Sequence, residues 1–190
     1  RNEACRTMVD RIRDAGYRIE WPEVEAYAAG GTGVYKQHIM HALLDRGYCD
    51  AIYGPLYKKL FARGGEGVPP GIAYVPLTYV DAASAIRAIL AAGGIPVLAH
   101  PGQMDNYDAV PEWAEAGLRG IEVKHPDHGP FDEARARTLA HQFGLVATGG
   151  SDFHGFYGTA RQALGSQNVG IESVERLKAM KRGRAGQRKL

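Results

Sequence analysis

Three short apolar segments in the second half of the chain constrain its fold most, because each is followed directly by polar, chemically reactive residues. They are 95–99, 120–123 and 145–148, and helical patterns lie between them. Ahead of the first segment, a capping box that starts at Thr78 predicts the beginning of a further helix. Short apolar strands that alternate with helices are typical of a parallel sheet buried on both faces. Right-handed crossovers join such strands. From about residue 71 onward, the sequence therefore predicts an α/β fold.

The polar residues that follow these segments are candidates for a metal centre. They are His100 after the first segment, His125 and His128 after the second, and Asp152 and His154 after the third. Because the carboxyl ends of parallel strands lie at one edge of a sheet, we expect these side chains to converge. Imidazole nitrogen and carboxylate oxygen together suit Zn²⁺, Mn²⁺ or Fe²⁺. The sequence thus indicates a hydrolytic metal centre, and the plainer alternative is a local turn capped by Asp152.

The second segment leaves two interpretations open. His125 and His128 are either metal ligands or donors to an anionic substrate, and Lys124 would assist the second role. Glu122 lies inside the segment and faces away from its apolar neighbours, so it needs a partner if it is buried. We expect Glu122 to support the site or the fold rather than to act as a base.

The first 70 residues predict a separate, all-helical unit. Apolar residues recur at helical spacing in 2–15 and 35–46, and prolines open two shorter helices, one near residue 22 and one over residues 55–61. A segment rich in glycine and proline at 64–71 ends the unit. Its polar residues Lys36 and His38 are, taken singly, most simply solvated surface residues. An α/β part at 71–178 and a basic tail at 179–190, predicted to be disordered, complete the chain.

Composition and charge limit the functions that the chain can serve. A net charge of +2 and a pI near 8.5 are too small a bias for a nucleic-acid surface, so no stable complex with nucleic acid is expected. The two cysteines form no disulfide framework, and no segment reaches the ~18 apolar residues of a membrane span. We therefore expect a cytoplasmic protein without a membrane partner. Because the chain begins with Arg1 rather than methionine, we also expect it to be part of a longer protein.

Three motifs in the α/β part carry a resemblance to a known family. They are GGIPVLAHP at 93–101, GIEV at 120–123 with the two histidines after it, and TGGSDFHG at 148–155. In order and spacing they resemble the later motifs of the PHP family, named for polymerase and histidinol phosphatase. The helical first part resembles the insert of the branch that contains nucleotide phosphatases and an RNA 5′-end exonuclease. The resemblance covers roughly residues 72–178.

The resemblance implies a fold, a chemistry and a set of site residues. The fold would be a distorted (β/α)7 barrel, present here in part, with an all-helical inserted subdomain. Two or three divalent ions, typically manganese, zinc or iron, would support hydrolysis of phosphate esters. By this resemblance the metal ligands are His100, Asp152 and His154, the catalytic residues are Asp152, His125 and His128, and the substrate-binding residues are Lys36, His38, Lys124, His125 and His128.

The chain also departs from the family pattern. The His-x-His motif of the first barrel strand, and the His and Glu ligands of the next strands, do not occur in these 190 residues. Lys36 stands where the branch commonly has arginine, which keeps the charge but loses the planar fork. We therefore expect hydrolysis of nucleotide-like or RNA-end substrates by the full-length protein, and weak or no activity in this chain alone. A histidinol-phosphate-type phosphatase and a non-catalytic PHP-like structural module are the alternatives.

Overall fold

The computed structural model describes residues 1–158 and 162–187. The chain divides into two compact units, Arg1–Tyr79 and Val80–Leu190. The division lies after the glycine- and proline-rich segment, so residues 71–79 group with the helical unit rather than with the α/β part.

The first unit is built from four helices around an apolar core. Helix α1 is Asn2–Asp14, α2 is Trp21–Tyr27, α3 is Lys36–Asp45 and α4 is Pro55–Phe61, close to the predicted ranges. Each helix buries one apolar stripe, as amphipathic helices do. The fully buried side chains of these stripes include Met8, Ile12, Ile39, Met40, Leu43 and Leu60.

The second unit alternates helices and strands. In chain order its elements are α5 (Ala82–Ala91), β1 (Val97–Leu98), α6 (Val110–Ala116), β2 (Gly120–Lys124), α7 (Pro130–Gln142), β3 (Val146–Gly149) and α8 (Ile171–Gln187). The strands form a parallel sheet in the order β1-β2-β3, so the predicted parallel α/β architecture is confirmed. Gly120 in β2 pairs with Val97 on one side and Val146 on the other.

The core of the second unit lies between the sheet and its helices. Fully buried members are Val110, Ile121, Val123 and Ala136. Gly120 is required at the centre of the sheet, because a Cβ there would lie 3.0 Å from Val97 Cγ2 and 3.1 Å from the Val146 carbonyl oxygen. The packing fixes the sheet, and with it the strand ends that carry the candidate residues.

Three details differ from the sequence predictions. Strand β1 has two residues where five were predicted, since Pro96 has no N–H to pair and the chain turns left-handed at His100. A capping box was expected from Thr78, but helix α5 is capped by Asp81, whose side chain accepts a hydrogen bond from Ser84 N at 2.9 Å. Helix α8 continues to Gln187, within the segment predicted as a disordered tail, and residues 188–190 lie outside the described part.

In the part of the chain that the structure describes, no helix combines the length and the apolarity needed to cross a membrane. The cytoplasmic location stays a prediction.

Candidate active site

The ends of β1 and β3 are held in a strained backbone conformation. His100 has φ +31° and Asp152 has φ +48°, and among the described residues Asp105 is the only other non-glycine with positive φ. The left-handed region costs an L-residue roughly 1–2 kcal/mol. Such strain persists only where the surroundings impose it, and it concentrates at functional sites. The two strained strand ends are those that carry the first and last predicted metal ligands.

His125, at the end of β2, has one ring nitrogen close to the carboxylate of Asp152. The ring is 2% exposed, and its Nδ1 accepts a hydrogen bond from the Asp127 N–H at 3.1 Å. In the neutral ring the proton is therefore on Nε2. That atom is buried, has no hydrogen-bond partner in the described part of the chain, and lies 3.4 Å from Asp152 Oδ2. An unpaired buried donor costs ~1–3 kcal/mol, so His125 Nε2 is placed to donate to an oxygen that enters the site.

His154 has the opposite arrangement. Its Nδ1 donates to the main-chain oxygen of Asp152 at 2.7 Å, so the lone pair of the neutral ring is on Nε2. A hydrogen bond from Nδ1 to a carbonyl is the usual way in which a protein fixes the tautomer and orientation of a metal-ligating imidazole. The side chain is 59% exposed, which leaves Nε2 accessible.

His128 has both ring nitrogens engaged within the protein. Nδ1 donates to the Val123 carbonyl at 2.9 Å, and Nε2 accepts from the Gly102 N–H at 3.1 Å. The ring is 8% exposed. In this arrangement His128 joins the loop after β1 to the end of β2, and a contact with substrate would break one of these bonds.

Lys124 is paired with a carboxylate. Its Nζ lies 2.7 Å from Glu133 Oε1 and 2.6 Å from Oε2. The hydrogen bond from Lys124 holds the pKa of Glu133 below its usual value. The positive charge that the sequence offered to a substrate is therefore neutralised by helix α7.

Lys36 and His38 belong to the helical unit. The Nζ of Lys36 lies 5.3 Å from the ring centroid of Phe61, and burial lowers the pKa of Lys36. His38 Nδ1 accepts from the Tyr35 N–H at the start of α3, and burial, followed by the nearby His41, lowers the pKa of His38. Both side chains are more enclosed than the solvated residues that their types suggest.

The α/β unit brings several of the predicted residues together. The His125 ring lies 5.4 Å from the His100 ring and 5.3 Å from the His128 ring, measured between centroids, and it also approaches Asp152. Nevertheless, no set of three His, Cys, Asp or Glu side chains among the described residues is arranged to hold a metal ion. The donor chemistry of Asp152 and His154 fits a divalent cation, whereas His125 is in the tautomer that donates.

Sequence reasoning missed a network that fixes the loop between β1 and α6. The Tyr107 hydroxyl donates to Asp132 Oδ1 at 3.1 Å, and Asp132 Oδ2 accepts from the Gly129 N–H at the start of α7. Arg135 forms ion pairs with Asp105 and Asp108 of this loop. Its guanidinium lies 4.5 Å from the centroid of the Tyr107 ring. The two acidic residues in the first turn of α7 were the available sequence signal.

Solved structures with the same fold define the class of protein. A protein from Bifidobacterium adolescentis, described as a metal-dependent phosphoesterase, matches with a TM-score of 0.79 at 25% identity, over 93% of this chain and 61% of that chain. An amidohydrolase from Chromobacterium violaceum shares the fold with a TM-score of 0.69 at 24% identity, over 93% of this chain and 62% of that chain. The chain thus has a phosphoesterase-type fold.

Curated relatives with named activities match most of this chain. A phosphoribosyl 1,2-cyclic phosphate 1,2-diphosphodiesterase from Eggerthella lenta is 45% identical over 151 residues, which is 80% of this chain and 55% of the relative. The 5′-3′ exoribonuclease Rnm of Salmonella typhimurium is 32% identical (78% and 50% covered), and a 3′,5′-nucleoside bisphosphate phosphatase of Chromobacterium violaceum is 30% identical (81% and 53% covered). No protein-family profile matches the chain.

These named activities all fit phosphoesterases of the PHP family, which confirms the resemblance carried by the three sequence motifs. The relatives are enzymes: a phosphodiesterase, an exoribonuclease and a phosphatase. The chain spans about half the length of the curated relatives it matches.

Proposed function

We propose that the protein is a metal-dependent phosphoesterase and that this chain supplies the residues at the ends of β1, β2 and β3. The observation that carries the proposal is the buried Nε2 of His125, which has no hydrogen bond in the described part of the chain and lies 3.4 Å from Asp152 Oδ2, where the backbone is strained. A donor and a carboxylate held this way are suited to a charged oxygen compound and a cation, and not to packing. The names of the relatives support the same chemistry.

The substrate class that we propose is a phosphorylated ribose or nucleoside. The three curated relatives act, by their names, on a phosphoribosyl cyclic phosphate, on RNA and on a nucleoside bisphosphate. A phosphate ester on a sugar is the part that these compounds share. The relative with 45% identity favours a substrate without a nucleobase, so the phosphoribosyl compound is the first to test.

Asp152, His154 and His100 would hold divalent cations in this proposal. The Asp152 carboxylate and the free Nε2 of His154 offer the oxygen and nitrogen ligands that Mn²⁺, Zn²⁺ and Fe²⁺ accept. When bound, the cation would neutralise charge on the phosphate and lower the pKa of a water molecule. The number of ions and the identity of the metal belong to the same proposal.

His125 would bind the ester, and His128 would hold the loop that carries His100. The Nε2–H of His125 can donate to a phosphate oxygen or to the oxygen of the leaving group. His128 already uses both ring nitrogens, so we assign it to support rather than to contact with the substrate. Lys124 would reach a phosphate only by leaving Glu133. Lys36 and His38 remain candidates for a phosphate contact from the helical unit.

We further propose that the three-stranded sheet is part of a distorted barrel and that the chain alone is weakly active or inactive. The support is the length of the relatives, about half of which this chain matches. The absence of a three-ligand cluster in the described residues is in keeping with a site completed by further sequence.

The test is hydrolysis of phosphate esters by the full-length protein with Mn²⁺ present, followed as loss of substrate. Asp152→Asn should lower turnover by at least about 100-fold, because it removes a negatively charged ligand while keeping the shape of the side chain. Asp50→Asn, an equal charge change at an exposed position of the helical unit, is the control and should leave turnover unchanged. Phosphoribosyl cyclic phosphate, a nucleoside 3′,5′-bisphosphate and a short RNA should be compared. Turnover by Asp152→Asn within threefold of the unmodified protein would refute the proposal.

A further inference from the structure

The side chain of Glu122 on β2 lies close to the ends of both neighbouring strands. Its neighbours Ile121 and Val123 are fully buried in the core, so the alternation of a strand directs Glu122 to the opposite face. There its Oε2 accepts a hydrogen bond from the His100 N–H at 2.7 Å. Its Oε1 lies 3.7 Å from the position that a Cβ on Gly150 would occupy, two residues before Asp152.

The hydrogen bond to His100 falls where the backbone most needs support. His100 has φ +31° and ψ 58°, a left-handed conformation that residues with a Cβ rarely adopt. A hydrogen bond from an N–H to a carboxylate is charge-assisted, and therefore shorter and stronger than one between neutral groups. Because the donor is the amide of the strained residue itself, the bond acts directly on the dihedral angles that set the direction of the His100 ring.

We propose that Glu122 is a positioning residue: its carboxylate holds His100 in the left-handed conformation and so directs the His100 imidazole toward the His125 ring, 5.4 Å away. Glu122 acts through His100 and is neither a ligand nor a base. The consequence for catalysis rests on the proposed function, whereas the consequence for the His100 backbone does not.

Three variants of the 190-residue chain separate position from charge. Glu122→Gln keeps an oxygen acceptor at nearly the same place and removes the charge. Glu122→Asp keeps the charge and withdraws the carboxylate by one methylene, so that it no longer reaches the His100 N–H. Glu122→Ala removes both. Glu112→Gln, an equal charge change at an exposed residue of α6, is the matched control.

Two measurements apply to all four variants. The first is hydrogen exchange of the His100 amide, followed by ¹H–¹⁵N NMR, which reports the hydrogen bond without any metal or substrate. The second is the affinity for Mn²⁺ by calorimetry. If Glu122 positions His100, we expect the His100 amide to exchange at least about tenfold faster in Glu122→Ala and Glu122→Asp, and Mn²⁺ to bind these two variants about tenfold more weakly. Glu122→Gln and the control should stay close to the unmodified chain in both measurements.

The opposite patterns overturn the inference. Unchanged exchange of the His100 amide in Glu122→Asp would show that the carboxylate does not hold the backbone. Loss of Mn²⁺ affinity in Glu122→Gln with the amide still protected would make Glu122 a direct ligand. If Glu122→Ala does not fold, the Gln and Asp variants still decide between these outcomes. Absence of phosphoesterase turnover in the full-length protein, with the expected exchange pattern intact, would reject the proposed function and leave the role of Glu122 standing.

Discussion

Replacement of Gly102 by alanine should destabilise the α/β unit by an amount that the structure allows us to work out. A Cβ at this position would lie 2.7 Å from His128 Cδ2, 3.1 Å from His128 Nε2 and 3.2 Å from Asp132 Oδ1. The backbone of Gly102 does not have positive φ, so the cost is steric rather than conformational. His128 is 8% exposed and bonded to Val123, so it has little room to move away.

Two terms contribute to the expected loss. Overpacking of a filled site costs ~1–3 kcal/mol. Displacement of the His128 ring would also break the hydrogen bond from the Gly102 N–H, worth ~0.5–1.5 kcal/mol. We therefore expect the free energy of unfolding to fall by about 1.5–4.5 kcal/mol.

Urea denaturation measures this loss if the two compact units are observed separately. Trp113 lies in the second unit and Trp21 in the first, so Trp113 fluorescence in a Trp21→Phe background reports the α/β unit. Gly129→Ala is the control. A Cβ on Gly129 would lie 3.8 Å from Asp132 Oδ2, so the free energy of unfolding should fall by less than about 1 kcal/mol. A loss for Gly102→Ala no larger than that of the control would refute the claim that His128 is fixed.

Two further predictions concern titration. Burial, followed by the hydrogen bond to Asp132, raises the pKa of Tyr107 to about 12, so its contribution to stability is full below the unfolded value of 10 and is lost as the pH rises from about 10 to about 12. Tyr107→Phe should therefore flatten the fall in urea stability in that window, and an unchanged pH profile would contradict this assignment. The pKa of Glu133 is lowered by Lys124, so the pair stabilises the fold above the unfolded pKa of about 4.5 and is lost as the pH falls through the folded value. Lys124→Met should reduce the stability difference between pH 7 and pH 3, and an equal difference in both proteins would count against the pairing.

The helices and the sheet could be predicted because local rules decide them. Pro55 at the first turn and the apolar stripe of the following residues specify α4, whose observed range is the predicted one. The start of α5 was misplaced because both Thr78 and Asp81 can cap a helix, and the choice depends on the backbone that precedes it. Strand β1 was predicted too long because pairing, unlike apolar character, also requires an N–H that Pro96 lacks.

The candidate site was predictable in outline and not in its roles. Strand-end position placed His125 near Asp152 from the sequence alone, because parallel strands expose the same end. The ion pair between Lys124 and Glu133 could not be predicted from the sequence, because the sequence around a lysine at a strand end does not show whether that lysine is paired. The support of His100 by Glu122 required the three-dimensional register, which brings an amide and a carboxylate 22 positions apart within 2.7 Å.

Three histidines with the same sequence context are distinguished by which ring nitrogen the main chain already uses. An N–H directed at Nδ1 of His125 leaves a proton on Nε2, so that ring can donate. A carbonyl bonded to Nδ1 of His154 leaves a lone pair on Nε2, so that ring can accept a cation. His128 meets a carbonyl on one side and an N–H on the other, so it has neither to offer. Because each ring meets a main-chain group of fixed polarity, the proposed roles of donor, ligand and support are the ones that the hydrogen bonds of the fold permit.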